Sequence, residues 1–295
     1  MISKKGILGK TLCFLGVLLA ASVSALDIVK DGKSDYVIYH DAKAPKSVIQ
    51  GAKELQDYCR KVTGCTLPIV KSPAPRMISL GENEASKAAN VTAKGILVEG
   101  FAVVVRNGSV YVIGEDTPDG GQCPGGGFSN GTRNGVYSLL ERCFGVRWLM
   151  PGPHGEYYVE KRTISVPDEG FREEPGFMNR QVPYIQEFSR ISKEWGQHQK
   201  LGQSIYLQAP HNWKAVCPPQ MFDKHPEWYA ITNGKREYPV GRSYKLCITN
   251  PSTIQRFIDA ACEHFKNNPK STSFSLSPND GGRGWCECEN CRKFY

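Results

Sequence analysis

Residues 36–70 hold the pattern that most restricts the fold. Tyr36-Val-Ile-Tyr39 reads as a short strand, and Pro45 opens a helix at the position where its missing N–H costs nothing. Val48, Ala52, Leu55, Cys59 and Val62 then recur at helical spacing, so one stripe of that helix packs inward. Gly64 is placed to end the helix in the left-handed conformation, and Leu67-Pro-Ile-Val70 returns as a strand. The result is a β-α-β unit, which commits the chain to a sheet covered by helices.

The next segments extend that sheet. Met77-Ile-Ser-Leu80 is a further strand, and Phe101–Arg106 with Ser109–Ile113 forms a hairpin. Asn107-Gly108 supplies the two positive-φ residues of its type I′ turn. The glycine-rich stretch from Gly114 to Gly131 lacks a Gly-Lys-Ser/Thr ending, so it reads as a flexible surface loop and not as a phosphate cradle. A helix carrying Val136, Leu139, Leu140 and Cys143 on one face comes next, then strands at Val146–Leu149 and Thr163–Val166. Residues 26–168 therefore form an α+β domain with no catalytic constellation of its own.

The stretch before it is set apart. Lys4, Lys5 and Lys10 precede an apolar run from Thr11 to Ser22, and Val23-Ser24-Ala25 offers a small-x-small cleavage site. Residues 1–25 read as a signal peptide whose apolar run is short for a ~20-residue membrane span. The expectation is an exported chain (periplasmic, cell-surface or secreted) with no stable membrane insertion. Losing that peptide lowers the formal charge of +8 by three. The remaining basic residues are scattered, which argues against a nucleic-acid partner. Export permits disulfides, and Cys59 with Cys65 is a sensible local pair across a helix end.

Beyond Glu169 the pattern becomes strand-then-helix. Phe177–Val182, Ser204–Leu207, Trp228–Ile231 and Tyr244–Thr249 read as strands. A helix starting at Pro251 carries Ile254, Ile258, Ala261 and Phe265 as its expected buried stripe. A short strand at Phe274–Leu276 then meets Pro278, Asn279 and Asp280. Repeated units of this kind argue for parallel βα architecture, where polar residues just past a strand face the chemistry. A closed (β/α)₈ barrel takes ~250 residues, whereas residues 169–295 number 127. The fold expected is thus α/β plus α+β: an N-terminal α+β domain followed by the first half of a (β/α)₈ TIM-type barrel, its C-terminal half missing. A small doubly wound domain is the alternative.

Asp280 is the best placed carboxylate and the candidate catalytic group, with an Asx-turn as its structural alternative. Asn279 beside it and Trp285 after the glycines suit a sugar's hydroxyls and ring. His211, Asn212 and Trp213 form a second cluster of hydrogen-bonding groups and an aromatic face. Arg180, inside the first expected strand, either points into the site or forms half of a salt bridge. No cofactor is expected. Cys286-x-Cys288-x-x-Cys291 reads first as a disulfide plus one further thiol. Zinc held by Cys286, Cys288 and Cys291 is the lesser alternative, with Cys217, Cys247 or His211 able to approach in space as a fourth ligand.

Two resemblances rest on these residues. Ala52–Gly64 with Leu67–Val70, and Asn134–Gly152, resemble the domain that precedes the barrel in α-glucuronidases and hexosaminidases. The string His225–Arg236, Leu246-Cys-Ile-Thr-Asn-Pro251, Ser277-Pro-Asn-Asp-Gly281 and Cys286-x-Cys288-x-x-Cys291 resembles glycoside hydrolase family 163, formerly a domain of unknown function. That resemblance implies a (β/α)₈ catalytic barrel and endo-β-N-acetylglucosaminidase action on complex N-glycans. It also implies a glycan as partner and a catalytic glutamate lying beyond Tyr295. A non-catalytic carbohydrate-binding protein using the same face is the rival reading.

Overall fold

The computed structural model of the chain describes residues 24–182 and 189–294. The signal-peptide reading falls almost wholly on residues 1–23, outside those described. Strand β1 (Ala25–Val29) is followed by β2 (Val37–His40), helix α1 (Lys46–Thr63), β3 (Ile69–Val70), β4 (Met77–Leu80) and α2 (Glu84–Ala88). Then come β5 (Phe101–Arg106), β6 (Ser109–Gly114), α3 (Gly131–Leu139), β7 (Arg147–Trp148), β8 (Glu156–Tyr157), β9 (Ile164–Pro167) and β10 (Phe171–Glu173).

Six of these strands form one mixed sheet in the order β10-β5-β6-β4-β2-β3. Strands β3, β2, β4 and β6 run parallel, while β5 and β10 pair antiparallel at the far edge. Period-two alternation divides its side chains between two layers. Ile38, Ile78, Leu80, Val110 and Val112 pack with Val48, Leu55 and Val62 of α1 and Val136 and Leu139 of α3. Tyr39, Met77, Tyr111 and Ile113 face the other way, under Ala85, Val91 and Ile96. The expected stripe of α1 is buried throughout, and Gly64 caps it at φ 74°. Asn107 and Gly108 take φ of 52° and 71°, as a type I′ turn requires.

Several expectations are corrected. Strand β9 pairs with β1 in a separate two-stranded sheet. Cys59 and Cys65 are separate thiols, because Cys59 points into the core beside Thr63 while Cys65 lies past the cap. The glycine-rich loop is packed, not free. Phe128 N–H donates to Gln203 O (2.8 Å) and Tyr206 N–H to Gly125 O (2.8 Å), so the loop backbone lies directly on residues 203–206.

The second part of the chain departs further from expectation. It contains β11 (Asn179–Arg180), α4 (Arg190–His198), β12 (Gly202–Gln203), α5 (Trp213–Val216), β13 (Ile231–Thr232), β14 (Lys235–Arg236) and α6 (Pro251–Asn267). Among the described residues its strand pairs, β11 with β12 and β13 with β14, are antiparallel two-residue ladders. Among the described residues the parallel strands of a half-barrel do not form a sheet. Instead, residues 206–212 run alongside 272–278 in the same direction, joined largely through side chains. Gln208 N–H donates to Ser273 Oγ (2.7 Å), Ser275 Oγ–H to Pro210 O (2.7 Å) and Asn212 Nδ2–H to Ser275 O (2.9 Å). Serine hydroxyls compete with a backbone ladder, and Pro210 and Pro278 have no N–H to give it.

Helix α6 keeps its expected start, with the Asn250 side chain accepting from Ser252 N–H (2.9 Å) and Thr253 N–H (3.3 Å). Its buried stripe is the neighbouring one. Phe257 and Ala260 pack against the cluster of Trp213 and Trp228 and Thr253 is buried, whereas Ile254, Ile258 and Phe265 are 42–48% exposed. The chain is a mixed α/β protein in which the sheet domain supplies most of the core. No helix among the described residues is long and apolar enough to cross a membrane.

Candidate functional site

Residues 211–213 and 279–285 meet where the two side-by-side segments end. Asn212 N–H donates to Ser277 O (3.0 Å), and Trp213 Nε1–H donates to Leu276 O (2.9 Å). These bonds fix the start of α5 against the turn that carries Asp280. His211 Nε2 lies 2.8 Å from Asp280 Oδ1, and His211 Nδ1 bonds to Pro278 O. Both partners accept hydrogen bonds, so the pair is complete when the ring carries both protons. The Asp280 side chain is 83% exposed and that of His211 52%, so the pair faces solvent.

The support beneath is buried. Asn279 accepts from Lys214 N–H at Oδ1 (3.2 Å) and donates from Nδ2 to Tyr244 O (2.9 Å). Lys245, 2% exposed, donates to Asn279 O and to Asp280 O (3.1 Å). Its ammonium sits 4.8 Å from the centre of the Trp285 ring, a cation–π contact. Burial lowers the Lys245 pKa, with the Asp280 carboxylate opposing. Lys245 was missed in the sequence. Its signal was alternation, since Lys245 lies on the opposite side from Tyr244 and Leu246 in a stretch read as a strand.

The structure therefore brings together His211, Asn212, Trp213, Asn279, Asp280 and Trp285. Trp213 is placed as core, its ring packed edge-on against Phe257 (6.4 Å) and Trp285 (6.2 Å). Asn279 is buried as well, which makes it a brace for the turn. Arg180 takes the salt-bridge alternative. Its guanidinium binds the Glu99 carboxylate, Phe177 O (2.7 Å) and Lys200 O (3.1 Å), on the side facing the sheet domain. Burial raises the Glu99 pKa despite Arg180 and Arg133.

A second constellation lies beside the first. Cys286, Cys288 and Cys291 gather with Cys247 so that their four sulfur atoms lie within 4.8 Å of one another. Cys217 instead packs with Trp213, Val216 and Trp228. Burial pushes the Cys286 thiol up to about 12. Burial also opposes ionisation of Cys288, but the Cys291 N–H and the Thr249 hydroxyl outweigh it and bring that thiol down to about 6.

Residues 150–294 match the family model of a domain of unknown function, DUF4838. No curated protein matches the chain. Solved structures similar to it include a family GH115 4-O-methyl-α-glucuronidase with specificity for decorated arabinogalactans, at 12% identity and a TM-score of 0.43 over 82% of this chain and 41% of that one. A Streptomyces plicatus N-acetyl-β-hexosaminidase is similar at 11% identity and a TM-score of 0.36, over 85% of this chain and 55% of that one. A Flavobacterium johnsoniae chitobiase is similar at 13% identity and a TM-score of 0.36, over 92% and 45% respectively. The chain spans 41–55% of the length of these structures.

Proposed function

We propose that this chain is a carbohydrate-active protein, part of an exported glycoside hydrolase acting on glycans that contain N-acetylhexosamine or uronic acid. The observation that carries the reading is the exposed His211–Asp280 pair, held on a turn that Lys245 and Asn279 brace from below. A carboxylate accepts hydrogen bonds from sugar hydroxyls, and an acetamido N–H is a further donor for it. In substrate-assisted glycosidases the sugar's own acetamido group serves as nucleophile. Asp280 is assigned the role of orienting or polarising the sugar. Glycosidases use a pair of carboxyl groups, and Asp280 is assigned one of those two places.

At finer grain, the protein is of the family 163 type, and residues 169–295 are the opening βα units of a (β/α)₈ barrel. The motif string from His225 to Cys291 supports this, as does the parallel run of residues 206–212 beside 272–278. A second reading, a non-catalytic glycan-binding protein using the same face, draws support from the immediate partner of Asp280 being an imidazole and not a second carboxyl.

Calorimetric titration of the chain with N-glycan, N-acetylglucosamine and glucuronic-acid oligosaccharides tests both readings, with product release followed in parallel. Saturable binding to one class is expected, weakened at least tenfold, about 1.4 kcal/mol, in Asp280→Asn and His211→Ala. Hydrolysis by the chain would favour the enzyme and overturn the non-catalytic reading. Absence of binding to every glycan, or binding indifferent to both substitutions, would overturn the site.

A further inference from the structure

We propose that Cys247, Cys286, Cys288 and Cys291 form a closed tetrathiolate zinc site that clamps the loop carrying Asp280 and Trp285 onto the segment that carries Lys245. Zinc–thiolate bonds are ~2.3 Å long, so the edges of an ideal ZnS₄ tetrahedron measure ~3.8 Å. The Cys247 sulfur lies 3.7 Å from that of Cys288 and 3.9 Å from that of Cys291, and all four sulfurs fall within 4.8 Å. A disulfide needs ~2.05 Å, far less than the 3.7 and 3.9 Å between the Cys247 sulfur and those of Cys288 and Cys291. Four sulfurs gathered within 4.8 Å, two of their separations close to a tetrahedral edge, suit a soft, four-coordinate ion.

The surroundings fit the same ion. Cys247, Cys286 and Cys291 are at most 3% exposed and Cys288 is half-buried, and four thiolates leave no open coordination position. Four thiolates and one Zn²⁺ sum to a charge of −2, which must be offset in a largely buried site. Ile231 N–H points at Cys286 Sγ (3.3 Å) and Cys291 N–H at Cys288 Sγ (3.4 Å). The Thr249 hydroxyl lies 3.1 Å from Cys291 Sγ and 3.6 Å from Cys288 Sγ. Donors to ligating sulfurs orient them and lessen their charge. Glu287, between two of the cysteines, donates its N–H to Ile231 O (2.8 Å), which ties the ligand loop to the β13–β14 hairpin.

The role inferred is structural. Residues 279–285 have little core of their own, and on one side they are held by Asn279 and Lys245. Metal at Cys286 and Cys247 fixes the other side, across 38 intervening residues of sequence. Zinc bound to the folded state alone stabilises it by mass action, so its removal loosens this loop first.

Elemental analysis of the full chain, purified without an affinity tag under reducing conditions, tests the inference. The expectation is a single zinc per chain that survives dialysis against a chelator at neutral pH. Zinc content should fall at least tenfold in Cys247→Ser and Cys288→Ser and stay unchanged in Cys262→Ser, whose side chain is exposed on α6. Should those serine variants fail to fold, Co²⁺ exchanged into the unaltered chain is expected to show the sulfur-to-metal charge-transfer and visible bands of tetrahedral thiolate coordination. A metal-free chain whose four thiols are free or joined as disulfides by mass spectrometry would overturn the site, as would a cobalt spectrum without thiolate bands. The readout is independent of glycan binding, so failure of one proposal is distinguishable from failure of the other.

Discussion

Asp116 accepts Thr132 N–H (3.1 Å) near Arg133, yet burial outweighs both and pushes its carboxyl up to about 6. The folded chain therefore holds this proton more tightly than the unfolded chain does. The stabilising contribution is complete below about pH 4 and disappears as pH rises through 6. Asp116→Asn keeps the acceptor for Thr132 and cannot ionise. It is expected to match the parent near pH 4 and to exceed it by about 1–2 kcal/mol at pH 7.5, measured as a rise in melting temperature. A lower melting temperature at pH 7.5 would refute the assignment. Individual groups were unevenly legible in the sequence. Asp280 stood out because it follows a strand-like run and a proline, and its pairing with His211 joins two clusters already singled out. Cys247 entered only as one of three possible partners, because ligands far apart in sequence meet only through the fold.

The elements divide by how locally they are determined. Helix α1, its Gly64 cap and the β5–β6 hairpin were readable because each is fixed locally by apolar spacing and a turn dipeptide. The Gly114–Gly131 loop was misread because its glycines answer to a distant backbone. A Cβ on Gly127 would lie 1.9 Å from Gln203 O, so only glycine admits the contact that seats the loop on residues 203–206. Gly127→Ala is expected to cost about 1–3 kcal/mol through this overpacking. Hydrogen exchange should speed up at Phe128 and Tyr206, whose N–H groups bridge the two segments, while the β5–β6 hairpin keeps its protection. Unchanged exchange at both amides would show that the loop does not depend on the close approach. The buried face of α6 was misjudged by one stripe for a related reason. Both stripes carry apolar residues, and the position of Trp213 and Trp228 selects Phe257 and Ala260.

At the scale of the molecule, Glu54 on α1 is central to the joint between the sheet domain and helix α4. Its carboxylate accepts from Gln50 Nε2–H (2.8 Å) and Tyr137 O–H (3.1 Å) and meets His198 Nε2 of α4 at 2.6 Å. The His198 ring stacks on Trp148 (4.3 Å between centroids), and Trp195 Nε1–H and Gln199 Nε2–H both donate to Trp148 O. Burial works against ionised Glu54, but His198, Gln50 and Tyr137 outweigh it and lower its pKa below the ordinary value of 4.5. The clamp's contribution is thus present above about pH 4.5 and lost as pH falls through the lowered value. Glu54→Gln keeps an acceptor but removes the charge facing His198. It should cost about 1–3 kcal/mol at pH 7, with amides of α4 exchanging faster while those of β4 and β6 hold. Between pH 5 and pH 3 the parent should lose stability more steeply than the variant, because only the parent has this proton to take up. Parallel acid limbs would place the stability of the joint in the Trp148–His198 stack and its neighbouring hydrogen bonds, and not in the Glu54 charge.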